Sequence, residues 1–180
     1  MKYPITTFLA AITLGASAAS AQDRPVELGI DAGLFVGLGD NSVTTINIPA
    51  DAFRIGFFVQ DNVSIEPKIR LNTISGNGNT ATSYLAELGL LYHFYRPGTR
   101  PMSYPGPVQH SAFYLRPFAG IVGFSGGTSN TGGVLGIGAG MKVPLVSRLA
   151  SRFEANIAHT FGDFSSNELG ILAGLSFFTR

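Results

Sequence analysis

The sequence predicts an all-β fold: an eight-stranded antiparallel up-and-down transmembrane β-barrel. The first observation is a series of segments of about ten residues with alternating apolar side chains, separated by Gly, Asn, Asp, Ser and Pro clusters. The second is that only 13% of the residues are charged, against about 25% in ordinary soluble domains. The third is that no stretch after the first 21 residues approaches the ~18 apolar residues of a helical span. We therefore expect the chain to cross a membrane with strands.

The N-terminal residues are typical of an export signal. Lys2 supplies a basic start, residues 5–14 form a short apolar core, and Ala19-Ser20-Ala21 fits the small-residue rule for a cleavage site. A membrane-anchoring helix is disfavoured, because this apolar run is shorter than the ~20 residues needed to cross a bilayer. We predict a signal peptide at residues 1–21, cleaved before Gln22, and a barrel domain at residues 22–180.

Alternation of side chains defines the strands. In the third segment, Ile65 and Ile69 share one parity, whereas Glu66, Lys68 and Arg70 share the other, and successive side chains of a strand point to opposite faces. We found no helical periodicity in competition with this pattern. The predicted strands span residues 27–38, 52–60, 63–73, 84–95, 113–124, 134–143, 148–161 and 168–178.

The charged residues of the predicted strands fall on one face once the bulky apolar residues have fixed the parity. The acidic members are Glu27, Asp31, Glu66, Glu87, Glu154 and Glu168, and the basic members are Arg54, Lys68, Arg70, Arg116, Lys142 and Arg152. An Arg or Lys turned toward lipid at mid-bilayer costs about 2–4 kcal/mol, so these residues are predicted to form a charge network in the lumen. Several glycines share their face, as a narrow interior requires: Gly56, Gly89, Gly120, Gly136, Gly138 and Gly140.

Closure of the barrel follows from the cost of unpaired backbone groups in hydrocarbon, so the first strand is expected to pair with the last. An even strand count then places both termini on the periplasmic side. Short periplasmic turns are predicted at residues 60–62 and 144–147, and outer loops at residues 39–51, 74–83, 125–133 and 162–167. The proline-rich segment 96–112 is long for a periplasmic turn. It is either a polyproline-like flap or a sign that the strand count is wrong there.

Besides the eight amphipathic segments, three sequence stretches are informative: FFVQDNVSIEP, MKVPLVSRLASRFEA and ELGILAGLSFF. On these features, the chain resembles the small outer-membrane barrels of the OmpA transmembrane-domain and OmpX type. The resemblance covers essentially the whole chain after the signal. It implies a porin-like protein of the outer membrane of a Gram-negative bacterium, in contact with lipopolysaccharide. The last phrase is similar to the C-terminal insertion signal of such barrels, which implies recognition by the barrel-assembly machinery.

No catalytic constellation is found. Lipid A deacylases of the outer membrane carry a His-x-Ser motif, but this chain reads His159-Thr160-Phe161, with Phe at the place of the nucleophile. We therefore predict no catalytic residues and no enzymatic activity. Three scattered histidines without cysteine predict no metal site, and Met141 replaces the last glycine of an apparent dinucleotide loop. No cofactor is expected.

The expected function is a structural or surface-interaction role, in which polar loops meet extracellular ligands outside the cell. A net charge of +1 supplies no basic field for nucleic acid. Three alternatives remain open: a narrow pore through the charged lumen, a lipid A-modifying enzyme, and a soluble periplasmic lipid-binding barrel. In the last, the apolar parity would face inward, and alternation alone does not distinguish inside from outside.

Overall fold

A computed structural model describes residues 25–38, 44–76, 79–94, 111–126 and 128–179. The predicted signal peptide lies outside the described residues, as do residues 96–110 of the proline-rich segment. None of the described residues belongs to a helix with the length and hydrophobicity needed to cross a bilayer.

The described residues form a closed antiparallel barrel in which each strand pairs with its neighbours in chain order. The first and last strands pair along their whole length, from Glu27 opposite Phe178 to Leu38 opposite Asn167. The predicted fold class and the pairing that closes the barrel are therefore confirmed. The strands are β1 (Val26–Leu38), β2 (Thr44–Gln60), β3 (Val63–Gly76), β4 (Asn79–Phe94), β5 (Ala112–Gly126), β6 (Thr128–Val146), β7 (Leu149–Gly162) and β8 (Ser166–Phe178).

All four predicted outer loops are shorter than expected. The predicted loop 162–167 is reduced to residues 163–165, and the other three differ more. Strand β2 already begins at Thr44, β3 runs to Gly76, β4 begins at Asn79, and β6 begins at Thr128. The predicted loops 39–51, 74–83 and 125–133 were therefore wrong in extent. The polar Asn, Ser and Thr residues of these stretches resemble loop residues, but a backbone ladder needs no apolar side chains where strands extend beyond hydrocarbon.

The predicted turn at residues 144–147 was also wrong, because β6 continues to Val146 and the turn lies at residues 147–148. The ladder between β6 and β7 shifts register between Pro144 and Val146. Proline has no N–H to donate, so a bulge is a position where a strand accepts it. At the other predicted short turn, the structure places Asp61 and Asn62 between β2 and β3.

Sidedness is clear along each strand. In β7, Arg152, Glu154 and Asn156 are buried, whereas Phe153 and Ile157 between and beyond them are about half exposed. Most bulky apolar side chains thus point out of the barrel, and the largest buried side chains are arginines. An apolar lipid-binding interior, as in a lipocalin-type barrel, does not fit this arrangement.

Candidate functional site

The barrel interior contains nearly all the charged side chains of the strands, which we call the lumen network. Of the twelve residues predicted for it, all but Arg70 and Glu168 are buried, and those two are partly exposed. A charge removed from water is costly unless opposite charges and hydrogen bonds compensate for it. The network supplies these compensating contacts in three groups. We call the end of the barrel that carries both termini the terminus end, and the groups follow one another from there to the opposite end.

The first group lies at the terminus end around Arg54 of β2. Its guanidinium donates to Glu27 at 2.5 Å, to Asp31 at 3.0 Å and to the Ser176 hydroxyl at 2.8 Å. The Lys142 ammonium donates to the second oxygen of Glu27. Each carboxylate of this group therefore has at least one cationic donor. The residues of the group come from four strands, β1, β2, β6 and β8.

The middle group is centred on Arg152 of β7. Its terminal nitrogens both donate to Glu66, and one of them also donates to Glu154 at 2.6 Å. The Tyr114 hydroxyl donates to Glu154 at 2.8 Å and accepts from Arg152 Nε at 2.6 Å. Arg116 donates to Glu154 from the other side at 3.0 Å. One neutral hydroxyl thus connects an anion to a cation inside a continuous ionic chain.

The third group lies toward the opposite end. Arg116 donates to Glu87 at 2.8 Å, and the Lys68 ammonium lies 2.7 Å from the same oxygen. Further along, Arg70 Nε lies 3.0 Å from Asp51. The Arg70 guanidinium also stacks 3.8 Å from the centre of the Phe35 ring, a cation–π contact that holds the side chain in place.

Glu168 is the remaining member of the predicted network. It lies near the opposite end in β8, partly exposed, and lines a small cavity together with Lys68 and Arg70. Its carboxylate forms no hydrogen bond or ion pair of the ordinary lengths with any residue in the described ranges.

Two apolar layers pack against the network. The layer at the terminus end consists of Phe58, Ala112, Ala150 and Phe178. The layer toward the opposite end consists of Leu85, Phe118 and Val134, with Val122 and Ala158 packed against it. The lumen is therefore filled by ion pairs, with one apolar layer at the terminus end and a second beside the third group. This agrees with the general rule that an eight-stranded interior is only wide enough for side chains.

The closeness of this packing explains the glycines of the lumen face. A Cβ on Gly138 would lie 2.9 Å from an oxygen of Glu154, and one on Gly89 would lie 2.9 Å from Arg116 Nη1. Small residues here leave room for the arginines and carboxylates opposite them.

Several lumen residues were missed by the sequence prediction. Asp51 was predicted to lie in a loop, but both Asp51 and its neighbour Ala52 are buried. The β1–β2 ladder shifts register between Asp31 and Gly33, and this shift breaks the alternation of side chains there. His93 and Tyr114 were not assigned to the network. Their parity was available as a signal, because His93 matches Glu87 in β4 and Tyr114 matches Arg116 in β5.

His93 lies in the terminus-end part of the lumen. One of its ring nitrogens is 3.2 Å from the Lys142 ammonium, and its ring centre is 5.3 Å from that of Phe58. It therefore sits where the first group of the network meets the apolar layer.

His159, the histidine of the His159-Thr160-Phe161 sequence, lies on the outside of β7. Its Nδ1 is 2.9 Å from the side-chain oxygen of Asn167, and its ring stacks on Phe161 with centres 6.5 Å apart. The contacts of the imidazole are thus with an amide and an apolar ring, neither of which is a nucleophile. Within the described part of the chain, no group of three or more His, Asp or Glu residues is arranged to hold a metal ion.

Comparison with known proteins gives a family and a fold. The family model described as "Outer membrane protein beta-barrel domain" matches residues 6–177. No curated protein sequence matches the chain. Neisserial surface protein A aligns in structure with a TM-score of 0.63 at 12% identity, over 84% of this chain and 96% of that one. Ail, the attachment invasion locus protein of Yersinia pestis, aligns with a TM-score of 0.51 at 11% identity, over 87% of this chain and 99% of that one. At these identities the likeness is one of fold.

Proposed function

Because the chain belongs to the outer membrane protein beta-barrel domain family, we propose that it is a structural or surface-interaction protein of the outer membrane of a Gram-negative bacterium. In this proposal, the barrel is a rigid support, and its polar loops at the opposite end meet ligands outside the cell. The observation that carries the proposal is the filled lumen, which leaves the loops and the outer wall as the surfaces available for interaction.

The filled lumen favours this role over a narrow pore. Glu27, Glu66 and Arg116 are 0% exposed, and each belongs to an ionic chain that is continuous across the barrel. An ion that moved through this region would have to displace guanidinium groups from their carboxylates, and breaking a buried ion pair costs about 3–5 kcal/mol. Such a lumen is suited to stabilising the barrel.

The apolar outer wall of the barrel supports the proposal that lipid surrounds it. Its exposed side chains are large and apolar at many heights, among them Phe53 at 65%, Phe113 at 62% and Leu71 at 69% exposure. Burial of such a surface in hydrocarbon is favourable by about 25 cal/mol per Å². We therefore propose lipid, including lipopolysaccharide in the outer leaflet, as the partner of this wall.

Export and assembly complete the proposal. We propose that residues 1–21 act as a signal peptide and that residues 22–180 form the mature domain. Strand β8 alternates apolar residues outward and ends in Phe177 and Phe178, which supports recognition by the barrel-assembly machinery. We propose no enzymatic activity, because the contacts of His159 supply no nucleophile.

Membrane fractionation combined with a heat-modifiability gel tests the location. We expect the chain in the outer-membrane fraction, and we expect unheated protein to migrate differently from boiled protein because the closed barrel resists detergent. Recovery of the folded chain in the soluble periplasmic fraction would reject the proposal. Planar-bilayer recordings are expected to show no discrete conductance, and stable conductance steps would favour a pore instead.

Binding of the folded chain in vesicles to host-matrix, phage or envelope components tests the surface role. The matched variant replaces residues 39–43 with Asn-Gly, which leaves a four-residue connection between the paired residues Val36 and Thr44, a common hairpin length. We expect this loop variant to keep its heat-modifiable migration and to lose binding. Equal binding by both proteins, or a measurable lipid hydrolase rate without any loop-dependent binding, would contradict the surface role.

A further inference from the structure

The lumen opens at the end opposite the termini into a cavity of about 140 Å³. This is well below the ~300–1,000 Å³ of pockets for drug-sized ligands, so any ligand bound here is small. The cavity is separate from the ion pairs of the first and middle groups, and its residues have no role in the surface function proposed above.

The charge balance of the lumen is uneven. The sequence prediction counted six acidic and six basic residues, but the structure adds Asp51, which is buried and paired with Arg70. The described residues of the lumen therefore carry seven carboxylates against six Lys and Arg cations. The surplus is negative, and a small cation from solution would neutralise it.

Glu168 is the carboxylate left over. The two cations that line the cavity already have partners, since Lys68 lies 2.7 Å from Glu87 and Arg70 lies 3.0 Å from Asp51. Glu168 faces the same cavity from β8. It has no directly hydrogen-bonded or ion-paired cation within the described ranges, although the charges of Arg70 and Lys68 act on it. It is thus an acceptor in a confined, partly desolvated place, where a carboxylate attracts a cation more strongly than in water.

The other polar groups of the cavity match an ammonium group. Thr160 and Ser166, two residues with hydroxyl groups, line the same cavity. These two residues are opposite each other in the β7–β8 ladder, and Ser166 lies two residues from Glu168 on the same face of β8. A carboxylate and two hydroxyls offer three acceptors, and a primary ammonium has three N–H donors.

The apolar wall of the cavity matches a short aliphatic body. Leu85, Phe118 and Val134 form the apolar layer next to it, and Val122 and Ala158 complete this side. A bare metal ion would gain nothing from such a wall. No arrangement of three or more acidic or His ligands for a metal exists among the described residues.

We propose that this cavity binds a small primary alkylammonium ion, with Glu168 as its counter-ion and the hydroxyls of Thr160 and Ser166 as further acceptors. The site goes beyond the proposed surface function and is independent of it, because it involves the lumen mouth and not residues 39–43. Loss of the surface role in the loop variant would therefore leave ammonium binding unchanged.

The test titrates the full chain, folded in detergent micelles, with n-propylammonium chloride and follows the backbone amide resonances of Ala158 and Val134. Sodium chloride of equal ionic strength and tetramethylammonium chloride serve as comparison salts. We expect saturable shifts with propylammonium only, because sodium has no aliphatic body and tetramethylammonium has no N–H donor. Equal saturation with either comparison salt, or no saturable shift with propylammonium, would overturn the proposal.

Two variants and a control assign the site. Glu168→Gln removes the charge and keeps the size, and we expect it to weaken binding about tenfold or more, equivalent to about 1.4 kcal/mol. Ala158→Leu keeps the charge and fills the cavity, and we expect a similar loss. Asp61→Asn removes one charge at an exposed turn of the terminus end and is expected to bind like the unchanged chain.

Heat-modifiable migration shows which variants are folded. If Glu168→Gln does not fold, the Ala158→Leu comparison decides alone. A folded Glu168→Gln or Ala158→Leu protein that binds propylammonium with unchanged affinity would refute the assignment of the site.

Discussion

Replacing Glu66 with Leu removes a carboxylate from the centre of the lumen network. Glu66 is 0% exposed and accepts from both terminal nitrogens of Arg152, one of them at 3.0 Å. Arg54 Nη1 lies 3.5 Å and Arg116 Nε lies 4.0 Å from its oxygens. The substitution therefore leaves guanidinium donors buried without their anion.

The expected cost follows from these contacts. A hydrogen bond to a charged group contributes about 1.5–3 kcal/mol, and removing one partner of a buried ion pair costs about 3–5 kcal/mol. With two hydrogen bonds from Arg152 lost, we expect Glu66→Leu to lower the free energy of unfolding by about 3–5 kcal/mol. An exposed ion pair would contribute only about 0.2–1 kcal/mol, so the two situations are well separated.

Urea unfolding of the full chain in lipid vesicles measures this difference. The chain has no Trp, so far-ultraviolet circular dichroism is the suitable signal. Glu168→Gln is the matched control, because that carboxylate is only partly buried and has no ion-pair partner within the described ranges. We expect it to change the free energy of unfolding by less than about 1 kcal/mol. A loss below about 1 kcal/mol for Glu66→Leu would refute the view that the network holds the barrel together.

Three further substitutions probe the wall, the packing and the bridging hydroxyl, each measured by the same unfolding experiment. Ile171→Arg and Leu145→Arg alter side chains that are both 53% exposed. We expect Ile171→Arg, in the middle of β8, to lower the free energy of unfolding by about 2–4 kcal/mol, and Leu145→Arg, near the end of β6, to lower it by about 0–1 kcal/mol. Equal costs would contradict a bilayer around the barrel. Gly120→Val places a Cβ 2.8 Å from a backbone Cα of β4 and should cost about 1–3 kcal/mol or more by overpacking. Ala119→Val on the outer face should cost little, and the opposite order would reject the assignment of Gly120 to the lumen face. Tyr114→Phe removes the hydroxyl that links an anion to a cation and should cost about 1–3 kcal/mol, while an unchanged midpoint would show that the link is dispensable.

Some features of the site had a signal in the sequence that the prediction did not use. His93 and Tyr114 share the parity of charged neighbours in their strands, so alternation alone would have placed them in the lumen. Asp51 had no such signal. It lies beside Ala52, and two adjacent buried residues contradict alternation. Only the register shift between β1 and β2 explains why both point inward.

The sequence by itself determined the strands and their two faces. Side-chain direction has a period of two, and a charge facing lipid is costly, so Ile65 and Glu66 are assigned to opposite sides without coordinates. Only the tertiary structure decided which charges meet. Lys142 binds Glu27 although 115 residues separate them, because closure of the barrel and the stagger of its strands set distances across the lumen. The same closure leaves Glu168 without a directly paired cation among the described residues, which no count along the chain reveals.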